Sequence, residues 1–157
     1  MRIVGIDPGC DSTGYGIIDS NGLEHRAILY GAIKTSPRKP FHERLLKIHQ
    51  DLDAILRREP AGVMAIEQVF ASANVDSALK LAHARGVILL VAAQHGLPVW
   101  EYSALEIKKG VVGYGRAEKG QVQSMVSFLL QLPSIPTPSD AADALAVAIC
   151  HANRMGR

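Results

Sequence analysis

The feature that most constrains the fold of this chain is a short apolar strand that ends in a carboxylate. The apolar run over residues 3–6 leads into Asp7, and the turn pair Pro8-Gly9 follows at once. An isolated ionised aspartate at the end of a desolvated strand is costly unless it is paired, hydrogen-bonded or bound to a metal. Aspartate also commonly caps such a turn, so this stretch alone leaves both interpretations open.

A second apolar strand, over residues 62–67, repeats the pattern and ends in Glu67. A glutamate at a strand end is often a salt-bridge partner. Two apolar strands that each finish in an acid nevertheless suggest neighbouring strands that present both carboxylates to one pocket. We therefore expect Asp7 and Glu67 to lie close together.

The other strands follow from apolar segments bounded by turn residues. After the first turn, the chain returns through a segment containing Gly14 and Gly16, and glycine in a strand leaves room for another backbone, a phosphate or an ion. Residues 23–35 predict a third strand that continues an antiparallel meander, and residues 97–102 predict a fifth strand.

Three helices are predicted from apolar periodicity. Residues 41–58 form an amphipathic pattern typical of a helix lying on a sheet, and its basic side chains are best explained as a solvated outer face. Residues 78–94 are apolar nearly all round, which predicts that one face packs on the sheet and another on a second subunit. Residues 122–132 predict a further short helix.

The last predicted helix begins at Ser139 and carries two acids in its first turn. Asp140 and Asp143 are three positions apart and therefore project from one face, while the residues that follow are small or apolar. Such a helix should be buried against the sheet, with its acidic end near the strand ends. Ser139 as N-cap and acids placed for the helix dipole are the alternative explanation.

Residues 107–119 form a basic, glycine-bearing segment that we interpret as a loop. It contains Lys108, Lys109, Arg116 and Lys119. A dinucleotide-binding GxGxxG pattern fails here, because Glu118 stands where the third glycine is required and no strand leads into it. The segment is either a phosphate-contacting loop or a solvated one.

Bulk composition narrows the class of protein. The length of 157 residues and an apolar content of 48% predict a single domain over residues 1–157 with a substantial core, and the net charge of +2 permits a polyanionic partner without requiring one. Cys10 and Cys150 lack zinc or disulfide spacing, so we expect free thiols in a reducing compartment. The absence of a signal peptide or a long apolar run predicts a cytoplasmic protein that does not enter a membrane.

Four acids thus lie where apolar elements end: Asp7, Glu67, Asp140 and Asp143. Clustered without a counter-ion they would repel one another, and the pKa of at least one would rise. Hard divalent cations resolve this conflict, which predicts Mg²⁺, with two ions per site and Mn²⁺ able to substitute. Two ions about 4 Å apart suit phosphodiester hydrolysis, so the sequence indicates a nuclease.

Five stretches of the sequence, in matching order, resemble the RuvC family of bacterial crossover-junction endodeoxyribonucleases. They are GIDPG from residue 5, TGYG from residue 13, AIEQVF from residue 65, VVGYGRAEK from residue 111 and DAADALAVA from residue 140. The resemblance covers essentially the whole chain. It implies an α/β, ribonuclease H-like fold with a five-stranded mixed sheet, three of its strands antiparallel, flanked by helices.

The resemblance also implies an activity and partners. The family acts as a homodimer that binds a four-way (Holliday) junction in DNA and nicks two strands symmetrically, leaving 5′-phosphate and 3′-hydroxyl ends. The apolar helix over residues 78–94 matches the family's dimer interface. A branch-migration complex, made of a junction-binding tetramer and a ring helicase, is the further partner that the family implies.

The resemblance carries site roles onto individual positions. The family's acidic site matches the four acids named above, although some relatives have histidine where this chain has Asp140. The aromatic residue that stacks at the junction centre matches Phe70, a residue whose sequence context alone favours packing into the core. Base stacking of this kind is worth about 1–3 kcal/mol. The basic residues near the scissile phosphate match Lys108 and Lys119, and the charge of the same segment adds Arg116.

Other functions remain as alternatives. Actin-like ATPases share a similar phosphate-binding hairpin but need two such domains. Another ribonuclease H-like nuclease, acting on RNA or on transposon ends, would use the same acids. A non-catalytic junction-binding protein is the third alternative, and the complete acid set argues against it, because a binding module gains nothing from four clustered carboxylates.

Overall fold

The computed structural model describes residues 1–69 and 73–156, which form five strands and five helices. The strands are β1 (Arg2–Asp7), β2 (Ser12–Ser20), β3 (His25–Lys34), β4 (Val63–Glu67) and β5 (Val99–Tyr102). The helices are α1 (Phe41–Arg58), α2 (Val75–Gln94), α3 (Ala104–Val112), α4 (Lys119–Leu129) and α5 (Ser139–Met155).

The strands form one mixed sheet in the order β3-β2-β1-β4-β5. β1, β2 and β3 form a continuous antiparallel meander. On the other side of β1, β4 pairs with β1 in parallel and β5 pairs with β4 in parallel. The predicted meander and the expected five-stranded mixed sheet are thus confirmed. β1 is the central strand, and its parallel pairing with β4 brings the carboxyl ends of both strands to the same edge of the sheet.

Helices cover both faces of the sheet and enclose two apolar cores. On one face, Val4 and Ile6 of β1 pack with buried residues of α1 and α2, such as Ile48 and Ile88. On the other face, Ile3 of β1 packs with residues of α3, α4 and α5. The alternation along β1 follows from strand geometry, in which successive side chains point to opposite faces.

Helix α5 lies directly on β1 and β2 because glycines leave room for its backbone. A Cβ atom at Gly5 would lie 2.1 Å from the carbonyl oxygen of Ala144, and one at Gly14 would lie 2.0 Å from that of Asp140. Neither distance is sterically allowed, so both positions require glycine. The close approach predicted for the β2 glycines is confirmed, and what approaches is a helix backbone.

The interpretation of residues 107–119 as a loop is wrong for its first half. Residues 107–112 belong to α3, which begins with a capping box in which Ser103 and Glu106 bond each other's backbone N–H groups. Gly113, in the left-handed conformation, ends the helix. Gly110 is tolerated inside it because a Cβ there would lie 2.7 Å from the Cys150 sulfur, so close packing replaces the helix propensity lost at glycine.

α2 begins at Val75 and α4 at Lys119, each three residues before its predicted start, and the N-cap of α5 also differs from expectation. Ser139 is the first residue of α5 rather than its N-cap, which is Pro138, and no side chain caps this helix.

The expected thiol chemistry is confirmed, since Cys10 and Cys150 are both free. Among the described residues, the structure contains no helix with the length and apolarity needed to span a bilayer.

Candidate active site

Two of the four predicted acids come from neighbouring parallel strands. β1 and β4 pair with Ile6 opposite Ile66, and each strand continues by one residue, to Asp7 and to Glu67. Because side chains alternate along a strand, Asp7 points to the same face as Ile3, which is the face covered by α5. The two acids therefore lie side by side beneath the first turn of that helix.

The other two acids, Asp140 and Asp143, lie at the start of α5 and point toward Asp7. One oxygen from each of Asp7, Asp140 and Asp143 lies within 4.8 Å of the other two. Glu67 is not part of this group of three. Its carboxylate accepts a hydrogen bond from Asp7, and the nearby charge of Asp143 raises its pKa. The structure thus brings all four predicted acids together, with Glu67 at the side of the cluster.

The electrostatics of the cluster are those of acids that lack a counter-ion. Burial raises the pKa of Asp7 to about 8, and the negative charges of Glu67, Asp143 and Asp140 contribute to the rise. Burial also raises the pKa of Glu67, and the negative charge of Asp143 adds to the rise. The hydrogen bond from Asp7 and the charges of Lys119 and Lys108 act in the opposite direction and lower it. In the metal-free protein at neutral pH, Asp7 therefore holds a proton and shares it with Glu67.

The two acids of α5 have partners of different kinds. The Ser12 hydroxyl donates a hydrogen bond of 2.6 Å to Oδ2 of Asp140. The Lys119 ammonium donates one of 3.1 Å to Oδ2 of Asp143, and this bond raises the pKa of the lysine. Ser12 was not identified from the sequence, because a serine after a turn carries no signal until the fold places it opposite Asp140.

A pocket of about 240 Å³ opens beside the cluster. Its charged lining residues are Glu67 and Asp143, with Lys108 from α3 and Lys119 from α4. The apolar residues Ala104, Ile107, Val122 and Ala146 complete the lining. A cavity lined by both acids and lysines suits a phosphate that is bound to a cation.

The remaining predicted contact residues lie elsewhere. Arg116 is exposed on the segment between α3 and α4 and is not among the residues that line the pocket. Phe70, the predicted stacking residue, lies outside the described residues.

The donor set of the cluster fits a hard divalent cation. All of its ligand atoms are carboxylate oxygens, which Mg²⁺, Mn²⁺ and Ca²⁺ prefer, and the described cluster contains no thiolate or imidazole that would select zinc or copper. The raised pKa of Asp7 indicates the same site. Burial and the neighbouring carboxylates favour its protonated form, and a bound cation would favour the ionised form instead.

Comparison with known proteins places this geometry in one family. The family model described as "Crossover junction endodeoxyribonuclease RuvC" matches residues 3–151. A curated protein of that name from Magnetococcus marinus is 49% identical over 154 residues, which are 98% of this chain and 85% of the relative.

Solved structures agree in fold. The structure described as "T. thermophilus RuvC in complex with Holliday junction substrate" superposes with a TM-score of 0.94 at 35% identity, covering 99% of this chain and 94% of that one. The yeast mitochondrial Holliday junction resolvase superposes with a TM-score of 0.69 at 13% identity, covering 97% of this chain and 78% of that one, which is a likeness of fold alone.

The expected ribonuclease H-like fold is confirmed by these superpositions. The match of the family model covers β1, β4 and the first turn of α5, the three elements that carry the acids. On sequence, fold and arrangement of the acidic edge of the sheet, the chain belongs to the RuvC family of crossover junction endodeoxyribonucleases.

Proposed function

We propose that this protein is a metal-dependent endodeoxyribonuclease that resolves four-way DNA junctions by paired, symmetric nicks in recombination and repair. The observation that carries the proposal is the acidic cluster at the ends of β1 and β4 and the start of α5, beside a pocket that two lysines also line. Membership of the RuvC family supports the choice of a junction as substrate, since a solved relative is described in complex with one.

In this proposal, Asp7, Glu67, Asp140 and Asp143 would together hold Mg²⁺, with two ions per site. Bound Mg²⁺ supplies positive charge that polarises the scissile phosphate and favours a nucleophilic water at neutral pH. The protein supplies a fixed frame for this chemistry. Two acids are anchored on sheet strands and two on a buried helix, so the carboxylates are held before substrate arrives.

Lys108 and Lys119 are placed to hold the substrate backbone. Both line the pocket that contains Glu67 and Asp143, so a phosphate in this pocket would lie within reach of two ammonium groups and beside the acidic cluster. Lys119 must release Asp143 when it turns to the phosphate, and a cation on Asp143 makes that release easier. The charge of its segment makes Arg116 a further candidate contact to the DNA backbone, and by family resemblance Phe70 stacks on a base at the opened junction centre.

We infer that the protein acts as a homodimer through α2. One stripe of this helix is exposed and apolar: Val75, Leu79, Ala82, Gly86, Leu90 and Ala93. A Cβ at Gly86 would meet nothing within 4 Å, so a second helix can approach closely there. A two-fold dimer suits a substrate with near two-fold symmetry and two cuts.

The branch-migration complex expected of the family is a further proposed partner. Family membership is what supports it. Co-sedimentation of the purified protein with a junction-bound tetramer and ring helicase, against the junction alone, tests this association.

The alternative of a non-catalytic junction-binding protein is disfavoured by the energetics of the cluster. Four carboxylates at a half-buried site repel DNA phosphates and raise the pKa of Asp7, which weakens binding unless a cation is used. The same arrangement is expected of a nuclease. A ribonuclease H-like nuclease acting on RNA or transposon ends would share this cluster and differ in substrate selection.

The substitution Asp7→Asn separates these functions. We expect it to abolish junction cleavage and to retain or tighten junction binding, because asparagine is a poorer metal ligand and, unlike aspartate, cannot ionise and repel the DNA backbone. Cleavage and gel-shift assays on one labelled junction measure both. Asp51→Asn, which removes an exposed acid of α1 paired with Lys47, is the matched control and should keep both activities. Parallel loss of cleavage and binding in Asp7→Asn would contradict a metal-nuclease role for Asp7.

A further inference from the structure

The hydrogen bond from Ser12 to Asp140 joins two residues that are 128 positions apart in the chain. Ser12 is the first residue of β2 and is half-buried, and its hydroxyl lies 2.6 Å from Oδ2 of Asp140. In the described part of the chain, Ser12 is the one side chain that donates a hydrogen bond to this carboxylate. The bond is charge-assisted and short, which places it among the stronger side-chain hydrogen bonds.

The backbone that carries Ser12 is itself fixed. The neighbouring Asp11 pairs with Arg44, whose guanidinium is buried, and Arg44 therefore ties this turn to the start of α1. On the other side, the Thr13 hydroxyl donates a hydrogen bond of 2.7 Å to the carbonyl of Gly9 across the turn. Ser12 is thus held between two anchored residues, so its hydroxyl can define the orientation of the group it contacts.

The choice of a hydroxyl as partner distinguishes Asp140 from Asp143. Asp143 pairs with the Lys119 ammonium, which competes for the charge that a metal ion would use. Ser12 is neutral, so it orients the Asp140 carboxylate and leaves its negative charge intact. A carboxylate has about four acceptor positions, and one hydrogen bond leaves the others free for a cation.

We propose that Ser12 is a positioning residue for the metal site, whose hydroxyl sets the orientation in which Asp140 binds a divalent cation. The inference rests on the proposed function, because it assumes that the acidic cluster holds a metal. Partners that orient metal ligands in this way generally contribute about 10-fold to 100-fold to metal affinity. Without the hydroxyl, the Asp140 side chain is free to rotate and the site loses that contribution.

A matched pair of substitutions isolates the hydroxyl. Ser12→Thr keeps it and Ser12→Val replaces it with a methyl group of the same shape, and both residues suit the start of a strand. We expect metal-free, full-length Ser12→Val to bind Mn²⁺ at least about 10-fold more weakly than Ser12→Thr, which should stay close to the wild type. The electron paramagnetic resonance signal of free Mn²⁺ measures this affinity without any cleavage reaction.

Two further readouts keep the result specific. In EDTA, Ser12→Val should unfold cooperatively and only slightly below Ser12→Thr, because it loses one charge-assisted hydrogen bond, and both should bind a four-way junction equally. With Mg²⁺, junction cleavage by Ser12→Val should need about 10-fold more Mg²⁺ for half its maximal rate, with the maximal rate recovered at saturation. Loss of cooperative unfolding in EDTA together with weaker Mn²⁺ binding would assign the effect to folding and would overturn the proposal.

Asp140→Asn distinguishes failure of this inference from failure of the proposed function. If it weakens Mn²⁺ binding while Ser12→Val and Ser12→Thr bind Mn²⁺ equally, the metal site stands and the positioning role of Ser12 is overturned. If Asp140→Asn leaves Mn²⁺ affinity unchanged, the cluster does not use Asp140 for metal, and both the site assignment and the role of Ser12 fail.

Discussion

At the scale of single residues, Asp7 determines the state of the metal-free site. Its pKa of about 8 means that the folded protein holds a proton there at neutral pH, whereas the unfolded chain, with the ordinary value of 3.8, has lost it. The raised pKa is therefore a destabilising contribution that grows as the pH rises between these two values. Metal binding removes the conflict, since a cation replaces the proton.

This linkage predicts a pH dependence of stability. In EDTA, the free energy of unfolding should fall as the pH rises from 6.5 to about 8, with a contribution from Asp7 of up to about 1.4 kcal/mol per pH unit. Burial lowers the pKa of His151, and that effect on stability is complete above the ordinary histidine value of 6.5. Asp7→Asn should remove most of the slope and be more stable than the wild type at pH 8. Urea unfolding curves measure both proteins, and equal slopes would refute the assignment.

The sequence predicted the acids more fully than their partners. Asp7, Glu67, Asp140 and Asp143 were found because each ends an apolar element, a pattern visible without the fold. Ser12 was not found, because its role depends on where β2 lies relative to α5 and not on any local pattern. Lys119 illustrates an intermediate case, since its charge was noted but its bond to Asp143 required the beginning of α4.

At the scale of elements, the site depends on the contact between α5 and the glycines of β1 and β2. Gly14 lies against the backbone of Asp140, so the same glycine that admits the helix also sets the height of an acid above the sheet. A side chain there must push the first turn of α5 outward. Stability and metal binding are thus coupled through one close contact.

Gly14→Ala tests this coupling. Because the new Cβ would lie 2.0 Å from the Asp140 carbonyl oxygen, we expect a loss of about 1–3 kcal/mol in the free energy of unfolding and weaker Mn²⁺ binding. Gly120→Ala in α4 is the matched control, since a Cβ there meets nothing within 4 Å, and alanine should leave stability unchanged or improve it. Denaturation and Mn²⁺ titration measure both variants. Normal metal affinity in a destabilised Gly14→Ala would argue against the coupling.

The elements themselves were largely predictable. Residues 41–58 form the predicted helix with the same bounds, because its apolar period is regular. Residues 107–112 were misassigned, because three glycines were given more weight than the capping-box pattern of Ser103 and Glu106, which the sequence already contains. Gly110 is kept inside that helix by contact with Cys150, a tertiary effect that local propensity does not contain.

At the scale of the whole molecule, the apolar stripe of α2 defined above is a surface that the described fold leaves uncovered. Leu79 and Leu90 are 55% and 52% exposed on a helix whose opposite face, including Ile88, is fully buried. Exposed leucines at helical spacing form an apolar patch whose exposure to water is unfavourable, and such patches are typical of surfaces that a partner covers. The proposed homodimer provides that cover and places two active sites on one junction.

Leu90→Arg should therefore disrupt the dimer. We expect a monomer in sedimentation velocity, because a charge within the stripe cannot be buried against its own symmetry copy. Leu46→Arg is the control, since Leu46 is similarly exposed at 53% but belongs to α1 and not to the stripe, and this variant should remain dimeric. A dimeric Leu90→Arg would place the interface elsewhere.

The measurement that tests the whole account most directly is cleavage of a synthetic mobile four-way junction beside linear duplexes of the same arms, with Mg²⁺ and with EDTA. We predict paired nicks at symmetric positions in two opposing strands, with ligatable ends, that require both the junction and the metal. Equal cutting of the linear duplexes would contradict the selectivity for junctions. Tight junction binding with no cleavage in Mg²⁺ or Mn²⁺ would contradict the catalytic role of the acidic cluster.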